Sequence, residues 1–324
     1  MISIITPTYN RKAMLGETIE SIMKQSYQNF EIIIVDDAST DGTEKFVEKY
    51  KNDTRVRCFR NEKNMGPGYN RNLGFKHAKG DYVIFMDDDD YYVDCDFFNK
   101  AIQVFEENAQ ENIAFVSGNA YVEDIDQNKT IESNIGCVGF VDGIEFLTQI
   151  GSKYTKPKST FTTVFNANVL KQADLYNMKM VNDYAIYLRA LLYGNAYILK
   201  DLIGVYRIHK SNISSRIEKD FLIDNLRERV WVKDKLEHII GEKRTKTWWN
   251  MQMLILLKYY LFMTNPSYPD GNSLANYILE NSRKSLSLDI TIRLMLIIYK
   301  PFYCLKKFKL WVLKIIRKVI KKAA

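Results

Sequence analysis

Four consecutive aspartates, Asp87-Asp88-Asp89-Asp90, follow the apolar stretch Tyr82–Met86. Adjacent carboxylates repel one another, so such a run is costly to fold unless a cation neutralises it. Hard oxygen ligands suit Mg2+ or Mn2+, which characteristically bridge phosphate oxygens. A solvated acidic loop or a helix N-terminus would look the same in isolation. A second polar stretch, Asp36-Asp37-Ala38-Ser39-Thr40-Asp41-Gly42, follows the apolar run Phe30–Val35. Asp37, Ser39, Asp41, Gly42 and Glu48 match a calcium-loop spacing, but the stretch leaves a strand rather than a helix and Glu44 stands where such a loop is apolar. Ser39, Thr40 or Asp41 can instead start the next helix. A third stretch, Gly66-Pro67-Gly68-Tyr69-Asn70-Arg71-Asn72-Leu73-Gly74, is glycine-rich without forming G-x-G-x-x-G or a Walker A sequence. Its Arg71 can pair with a phosphate or with a surface acid.

These stretches need elements that bring them together. Ile2–Thr6, Phe30–Val35, Val56–Phe59 and Tyr82–Met86 read as strands. Between them, Leu15, Ile19, Ile22 and Met23, then Phe46, Val47 and Tyr50, then Leu73 to Ala78, recur at helical spacing. The alternation predicts a mostly parallel sheet with helices on both faces. Ligands of such sheets sit beyond the carboxyl ends of the strands, where Pro7-Thr8-Tyr9-Asn10, Asp36-Asp37 and Asp87–Asp90 all fall. Farther on, Phe97–Phe105 reads as helix, Ile113–Val116 and Thr160–Phe165 as strands, Asp183–Leu192 as an amphipathic helix and Ala196–Leu199 as a strand. From about residue 216 the pattern is helical, in Phe221–Ile240 and Trp248–Met263, broken at Asn265-Pro266 and Tyr268-Pro269. The expected organisation is a catalytic α/β domain over 1–215, a helical extension over 216–299 and a basic amphipathic helix over 300–324.

The net charge of +7 is uneven. Residues 290–324 carry ten Lys and Arg and no acid, which leaves 36 basic against 39 acidic residues in the remainder. A slightly acidic body argues against a nucleic-acid-binding core, and the tail suits an anionic surface. Leu305, Phe308, Val312, Ile315, Ile316, Val319 and Ile320 can share one helical face with lysines and arginines toward the other, which fits a helix lying in a membrane interface. The alternative is a helix packed on the protein's own body. No stretch reaches the ~20 apolar residues of a membrane span. The N-terminus reads as a strand and not a signal peptide, and the scattered Cys58, Cys95, Cys137 and Cys304 suit a reducing compartment.

Taken jointly, Ile4-Ile5-Thr6-Pro7-Thr8-Tyr9-Asn10-Arg11, Ile34-Val35-Asp36-Asp37-Ala38-Ser39-Thr40-Asp41, Tyr69-Asn70-Arg71-Asn72-Leu73-Gly74 and Gly80–Asp90 resemble glycosyltransferase family 2, whose fold is GT-A. Order, spacing and strand-end placement agree over residues 1–95, and the resemblance thins beyond. It implies that Pro7, Thr8, Tyr9 and Asp37 line the nucleoside, with Asp37 accepting from the base edge and Arg71 near the nucleotide. It implies a metal at the D-x-D pair Asp87 and Asp89, with Asp89 the direct ligand and Asp88 toward the ribose. The catalytic base would be Asp183, where Asn182-Asp183 stands in place of the commoner Glu-Asp. An ordinary first-turn helix acid is the plainer account of Asp183. Arg207 and His209, in Tyr206–Ser214, would touch diphosphate or metal.

The implied activity is inverting transfer from a nucleotide-sugar, typically a UDP-sugar, to a glycan or lipid-linked acceptor. Mn2+ or Mg2+ would be the cofactor, and the work would take place at the cytoplasmic face of a membrane. Two other readings compete. A sugar-phosphate nucleotidyltransferase also uses strand-end acids but needs a glycine-rich basic phosphate loop, which the N-terminal region lacks. A non-catalytic nucleotide-binding scaffold of a glycan-assembly complex would not need every acid intact.

Overall fold

In the computed structural model, the residues described are 1–178, 181–209, 219–261 and 268–281, with 292, 293, 295–297 and 300 beyond them. The basic segment 301–324 and residues 210–214 lie outside these. The elements run β1 (Ile2–Thr8), α1 (Lys12–Met23), β2 (Phe30–Asp36), α2 (Thr43–Val47), β3 (Val56–Arg60), α3 (Pro67–His77), β4 (Tyr82–Phe85), β5 (Tyr91–Tyr92), α4 (Phe97–Glu107) and β6 (Ile113–Asp124). Then come β7 (Lys129–Glu132), β8 (Gly139–Val141), α5 (Gly143–Gln149), β9 (Thr163–Asn166), α6 (Ala167–Gln172), α7 (Asp183–Ala190), β10 (Asn195–Ile208), α8 (Lys219–Ile240), α9 (Glu242–Tyr259) and α10 (Tyr268–Asn281).

Among the described residues the strands form one sheet in the order β3-β2-β1-β4-β9-β6-β10-β5, with β7 on β6 and β8 on β10. The first four are parallel, as the alternating pattern predicts. Every residue of β1 and of β2 is buried, which is why both read as near-continuous apolar runs, covered on two faces. Ile4, Ile32, Ile34 and Ile84 share a core with Leu15, Ile19 and Ile22 of α1 and with Phe97 and Phe98 of α4. On the opposite face, Phe75 of α3 meets Phe85 of β4, ring centroids 6.2 Å apart.

The second half is mixed. β9 runs antiparallel to both β4 and β6, while β10 is parallel to β6. The stretch Thr160–Phe165 is only partly a strand, because Thr160–Thr162 forms a 3-10 turn first. β10 continues nine residues past the expected Leu199, to Ile208. Its pairing with β6 shifts register between Ile198 and Leu202 and again between Leu202 and Gly204, so irregular backbone around the polar Lys200-Asp201 is absorbed within one strand.

The contacts divide the chain into two compact units, Met1–Asn212 with Lys219–Val232, and Ile213–Glu218 with Lys233–Ala324, so the division falls inside α8. In the first unit, Arg189 of α7 donates to Glu228 of α8 at 2.7 Å and lies 3.9 Å from the Trp231 ring centroid. The second unit is helical where described, with Trp248, Met253 and Leu257 of α9 buried. Tyr268-Pro269 begins α10 instead of only breaking a helix, because proline is tolerated in a first turn, where its missing N–H has no partner to lose.

Gly74 sets the seating of α3. A Cβ there would lie 2.3 Å from Cγ2 of Ile5 on β1, which branches at its own Cβ and cannot swing away. Gly74→Ala gains helix propensity but overpacks this contact, and we expect a net loss of about 1–2 kcal/mol. That lowers the melting temperature by about 3–6 °C; an unchanged melting curve would contradict the close approach.

Candidate active site

Strand register builds the site. Thr8 pairs with Asp36 across β1–β2, and Ile5 with Phe85 across β1–β4. Residues just past the ends of three neighbouring strands therefore share one edge. Thr8 Oγ1 donates to Asp88 Oδ2 at 2.7 Å, and Asp37 N–H donates to the Thr8 carbonyl at 2.9 Å.

Asp37 organises one end. Its Oδ1 accepts from the Met65 N–H and from Asn61 Nδ2, both at 2.8 Å, and its Oδ2 accepts from the Gly66 N–H at 2.8 Å. Gly66 has φ of 84°, a left-handed value that glycine adopts without strain, and Pro67 after it opens α3. Tyr9, just after β1, and Tyr69, in the first turn of α3, are 46% and 45% exposed. Asp36 is committed elsewhere, to the Arg60 guanidinium and the Ser39 N–H. Asp41 accepts from the Thr43 N–H and hydroxyl, but the N-cap of α2 is Gly42 with no side-chain cap, so none of Ser39, Thr40 or Asp41 takes that position.

The acidic run is held from all sides. Thr18 Oγ1 on α1 donates to the carbonyls of Asp88 and Asp90 at 3.1 and 2.7 Å. Arg11 Nη1 lies 3.0 Å from Asp88 Oδ1 and 2.6 Å from Asp89 Oδ2. His209 Nε2 lies 3.2 Å from the same Asp89 oxygen. Asp90 is fully buried, accepting from the Arg207 N–H at 3.2 Å and from Ser159 Oγ at 3.3 Å. The Arg207 guanidinium donates to the Asp89 carbonyl and to Glu17. Burial pushes the Asp88 carboxyl up to about 7, against the pull of Arg11. Burial, then the charges of Asp89 and Asp87, hold Asp90 well above the carboxylate range. Asp87 is raised too, by burial first, with Arg71 opposing.

Arg71 joins the run to α7. Its Nη2 is 2.5 Å from Asp87 Oδ1 and 3.7 Å from Asp183 Oδ1, and its Nη1 donates to the Val181 carbonyl at 3.1 Å. The Arg71 side chain is 8% exposed, whereas those of Asp87 and Asp183 keep 31% and 28%. Burial works to lower the guanidinium's pKa, and the two carboxylates outweigh it. Asp183 is the first residue of α7, and Asn182 caps that helix by accepting from the Ala185 N–H at 3.0 Å. Asn in place of the commoner Glu thus serves as an N-cap.

The structure therefore brings Thr8, Asp87, Asp88, Asp89, Arg207, His209, Arg71 and Asp183 into one connected cluster, with Pro7, Tyr9 and Asp37 at the adjoining strand ends. Arg71 lies between Asp87 and Asp183 and does not touch the Asp37 cluster. Sequence reasoning gave no role to Arg11, Glu17, Ser159, Lys156, Lys158 or Tyr206. Arg11 stood directly after the first strand-end motif, a lone cation facing an acidic run; the others become neighbours only through tertiary folding.

The sequence profile described as "Glycosyl transferase family 2" matches residues 3–173. The chain belongs to glycosyl transferase family 2. A Campylobacter jejuni member named GalNAc(5)-diNAcBac-PP-undecaprenol beta-1,3-glucosyltransferase is 30% identical over 216 residues, covering 65% of this chain and 66% of that one. An Escherichia coli member, UDP-Glc:alpha-D-GlcNAc-diphosphoundecaprenol beta-1,3-glucosyltransferase WfaP, is 41% identical over 123 residues, 38% of this chain and 47% of that one. In a longer Rickettsia felis glycosyltransferase the matched stretch is 21% of the length. The fold is that of S. aureus TarS residues 1–349 solved in complex with UDP-GlcNAc, at TM-score 0.67, 21% identity, and coverage of 87% of this chain and 81% of that one. The expected GT-A fold and family 2 membership are thus both met.

Arg71→Met leaves Asp87 and Asp183 facing each other without their shared cation. Removing one partner of a largely buried charge cluster is expected to cost about 2–4 kcal/mol, the lower figure reflecting the exposure the carboxylates retain. Urea denaturation measures this, and a loss below about 0.5 kcal/mol, the range of an ordinary surface change, would show that the bridge is idle.

Proposed function

We propose that this family 2 glycosyltransferase moves a sugar from a UDP-sugar to a hydroxyl of a lipid-linked or polysaccharide acceptor, by one inverting displacement with Asp183 as base. The observation that carries this reading is the Arg71 bridge, one guanidinium tying the D-x-D acid Asp87 to Asp183. It sets an acid of the leaving-group side and a candidate base on either side of one gap. Asp183 takes the proton from the acceptor hydroxyl as that oxygen attacks the anomeric carbon, and the bond to the diphosphate breaks with its electron pair going to the phosphate oxygen. No sugar–enzyme bond forms.

Uridine is favoured by the Asp37 cluster. Oδ1 already accepts two N–H groups and Oδ2 only one. A carboxylate oxygen has two acceptor positions, so one remains, which matches the single ring N–H of uracil better than the paired donors of guanine. The UDP-sugars named with the E. coli relative and the TarS complex are in keeping.

Mg2+ or Mn2+ fits the donor set at Asp87 and Asp89, with His209 within reach of Asp89. Among the described residues no three His, Cys, Asp or Glu side chains gather tightly enough to cage an ion alone. A hard cation that keeps waters and phosphate oxygens in its shell needs no such cage. The Arg11 Nη1 contact to both Asp88 and Asp89, with Asp88 raised chiefly by burial, supports the reading that added positive charge is accommodated here. Bound there, the cation would neutralise charge developing on the departing diphosphate. Thr8 and Arg11 would keep Asp88 oriented toward the ribose, and Arg207 would brace the run from the Glu17 side.

The undecaprenol-linked acceptors in the names of both relatives support a lipid-linked acceptor here. Among the described residues no helix is long and apolar enough to cross a membrane. The basic, acid-free residues 300–324 are the proposed contact with the anionic inner face of the cell membrane.

Two experiments test these points. In calorimetric titration with UDP and Mn2+, Asp183→Asn should bind like wild type while transfer falls by about 10^2-fold or more, and Asp89→Ala should lose the Mn2+ dependence of binding; transfer near the wild-type rate in Asp183→Asn removes it as the base. Deleting residues 300–324 should release the protein from sedimenting phosphatidylglycerol vesicles, and undiminished sedimentation would rule the tail out as the anchor.

A further inference from the structure

Asp89 carries two side-chain nitrogens on one carboxylate oxygen. Arg11 Nη1 lies 2.6 Å from Asp89 Oδ2, and His209 Nε2 lies 3.2 Å from the same atom. A carboxylate oxygen has two acceptor positions, so these two nitrogens crowd it. Arg11 Nη1 is itself shared, since it also lies 3.0 Å from Asp88 Oδ1. Asp88 does not depend on that contact alone, because its Oδ2 accepts from Thr8 Oγ1 at 2.7 Å. One guanidinium nitrogen therefore spans two acids, and the acid other than Asp89 has a second tie that fixes it.

The backbone under Arg11 is held firmly. Arg11 is the N-cap of α1, and its carbonyl accepts from the Leu15 N–H at 3.0 Å. Asn10 before it is laced to Ser39 and Thr40. Thr18, about two turns along α1, ties that helix to the carbonyls of Asp88 and Asp90. The side chain makes no capping bond to its own helix and is 19% exposed, against 8% for Arg71. A change of partner at Arg11 thus needs only rotation of one long side chain that already meets solvent. Arg71 has less room, being tied to the Val181 carbonyl as well as to Asp87. A dication on Asp89 cannot leave Arg11 where it is. On Oδ2 the two would compete for one oxygen. On Oδ1 they would stand across a single carboxylate, and like charges that close repel strongly in a site this buried.

We propose that Arg11 is an exchange cation: it competes with the metal for Asp89, and on giving up Asp89 it pairs with the donor's diphosphate. This rests on the metal and nucleotide reading above. Arg11 keeps Asp88, which Thr8 holds in place, so the exchange costs it one contact of two. A guanidinium displaced from a carboxylate finds an equivalent partner in a phosphate oxygen, planar fork to anion in both cases. Arg11 therefore opposes uptake of the ion by itself and ceases to oppose it when the diphosphate is present. Ion and nucleotide are made to bind as a pair, and the return of Arg11 to Asp89 loosens the ion once the diphosphate departs. Such coupling is reciprocal, so it can be read from either ligand.

The test is calorimetric titration of the full chain with Mn2+, alone and in saturating UDP, for wild type, Arg11→Met and Arg11→Gln. Arg11→Met should bind Mn2+ alone about tenfold more tightly than wild type, because one charge-assisted hydrogen bond no longer has to be broken. Arg11→Gln, which keeps a donor for Asp88 without the charge, should show the same gain and serves if Arg11→Met does not fold. In saturating UDP the gain should vanish, since wild-type Arg11 is then repaid by phosphate. Asp89→Ala added to Arg11→Met should abolish the gain. Mn2+ affinity that is unchanged or weaker in the Arg11 variants overturns the exchange, because an arginine that only braces the acids would aid the ion. A gain as large with UDP as without overturns it too, as does a gain that survives Asp89→Ala. A wild type that binds no Mn2+ even in saturating UDP overturns the metal reading itself, and the exchange falls with it.

Discussion

Four carboxylates at the end of one buried strand are the constraint on which the rest of the structure depends. Asp88, Asp89 and Asp90 are buried and adjacent, so mutual repulsion and lost hydration both act against folding. The fold answers with cations and N–H groups drawn from distant parts of the chain. Arg11 comes from the end of β1, Arg71 from α3, and the Arg207 N–H and guanidinium from β10. Thr18 on α1 fixes the run's backbone. Each element that carries one of these groups must arrive at the same edge of the sheet, and each does so because β4 is central there.

The same requirement explains what could be read from the sequence. The acids are contiguous, and the strands that present them are unbroken apolar runs, so the parallel half of the sheet and the Asp37 and Asp87–Asp90 positions were legible. The mixed half was less so. β9 is four residues long behind a 3-10 turn, and β10 passes through Lys200-Asp201 by shifting register, which no periodicity announces. The compensating groups were the hardest to see. Arg11 is an unremarkable residue in sequence, and only long-range pairing makes it a neighbour of the acids. Asp183 was visible as a first-turn helix acid, and the structure shows that this plain role and a place beside Arg71 coexist.

Arg71 has a double consequence. Because it reaches both Asp87 and Asp183, the distance between the acidic run and α7 is set by one side chain. α7 is in turn anchored by Arg189 to Glu228 and to the carbonyls of Ala173 and Asp174, and by Arg229 against the Tyr184 ring. The first turns of α8 thus belong with the first compact unit on physical grounds, since their charged and aromatic side chains hold the helix that carries Asp183. The change to helical pattern near residue 216 marks a change of secondary structure, and the boundary between the compact units comes later, at Val232.

Backbone strain falls at the same edge. Asn10 and Ala38 have φ of 54° and 64°, a region a residue with a Cβ seldom enters. They follow β1 and β2, and the loops that carry them are laced together by Asn10 N–H to Ser39 Oγ at 2.9 Å and Thr40 N–H to Asn10 Oδ1 at 2.7 Å. Asn tolerates the conformation; Ala38 gains nothing from its side chain and is held there by its surroundings. Those surroundings are Asp37, tied to Thr8, Met65, Gly66 and Asn61, and Ser39, tied to Asp36 and Asn10. A relaxed loop at Ala38 would turn the Asp37 carboxylate away from the start of α3, and with it the donors that fix that helix and Arg71. The strain beside Asp37 and the charge balance at the acidic run are therefore one problem, because Asp37 holds Gly66 at the start of α3, which one turn later delivers the guanidinium that Asp87 and Asp183 share.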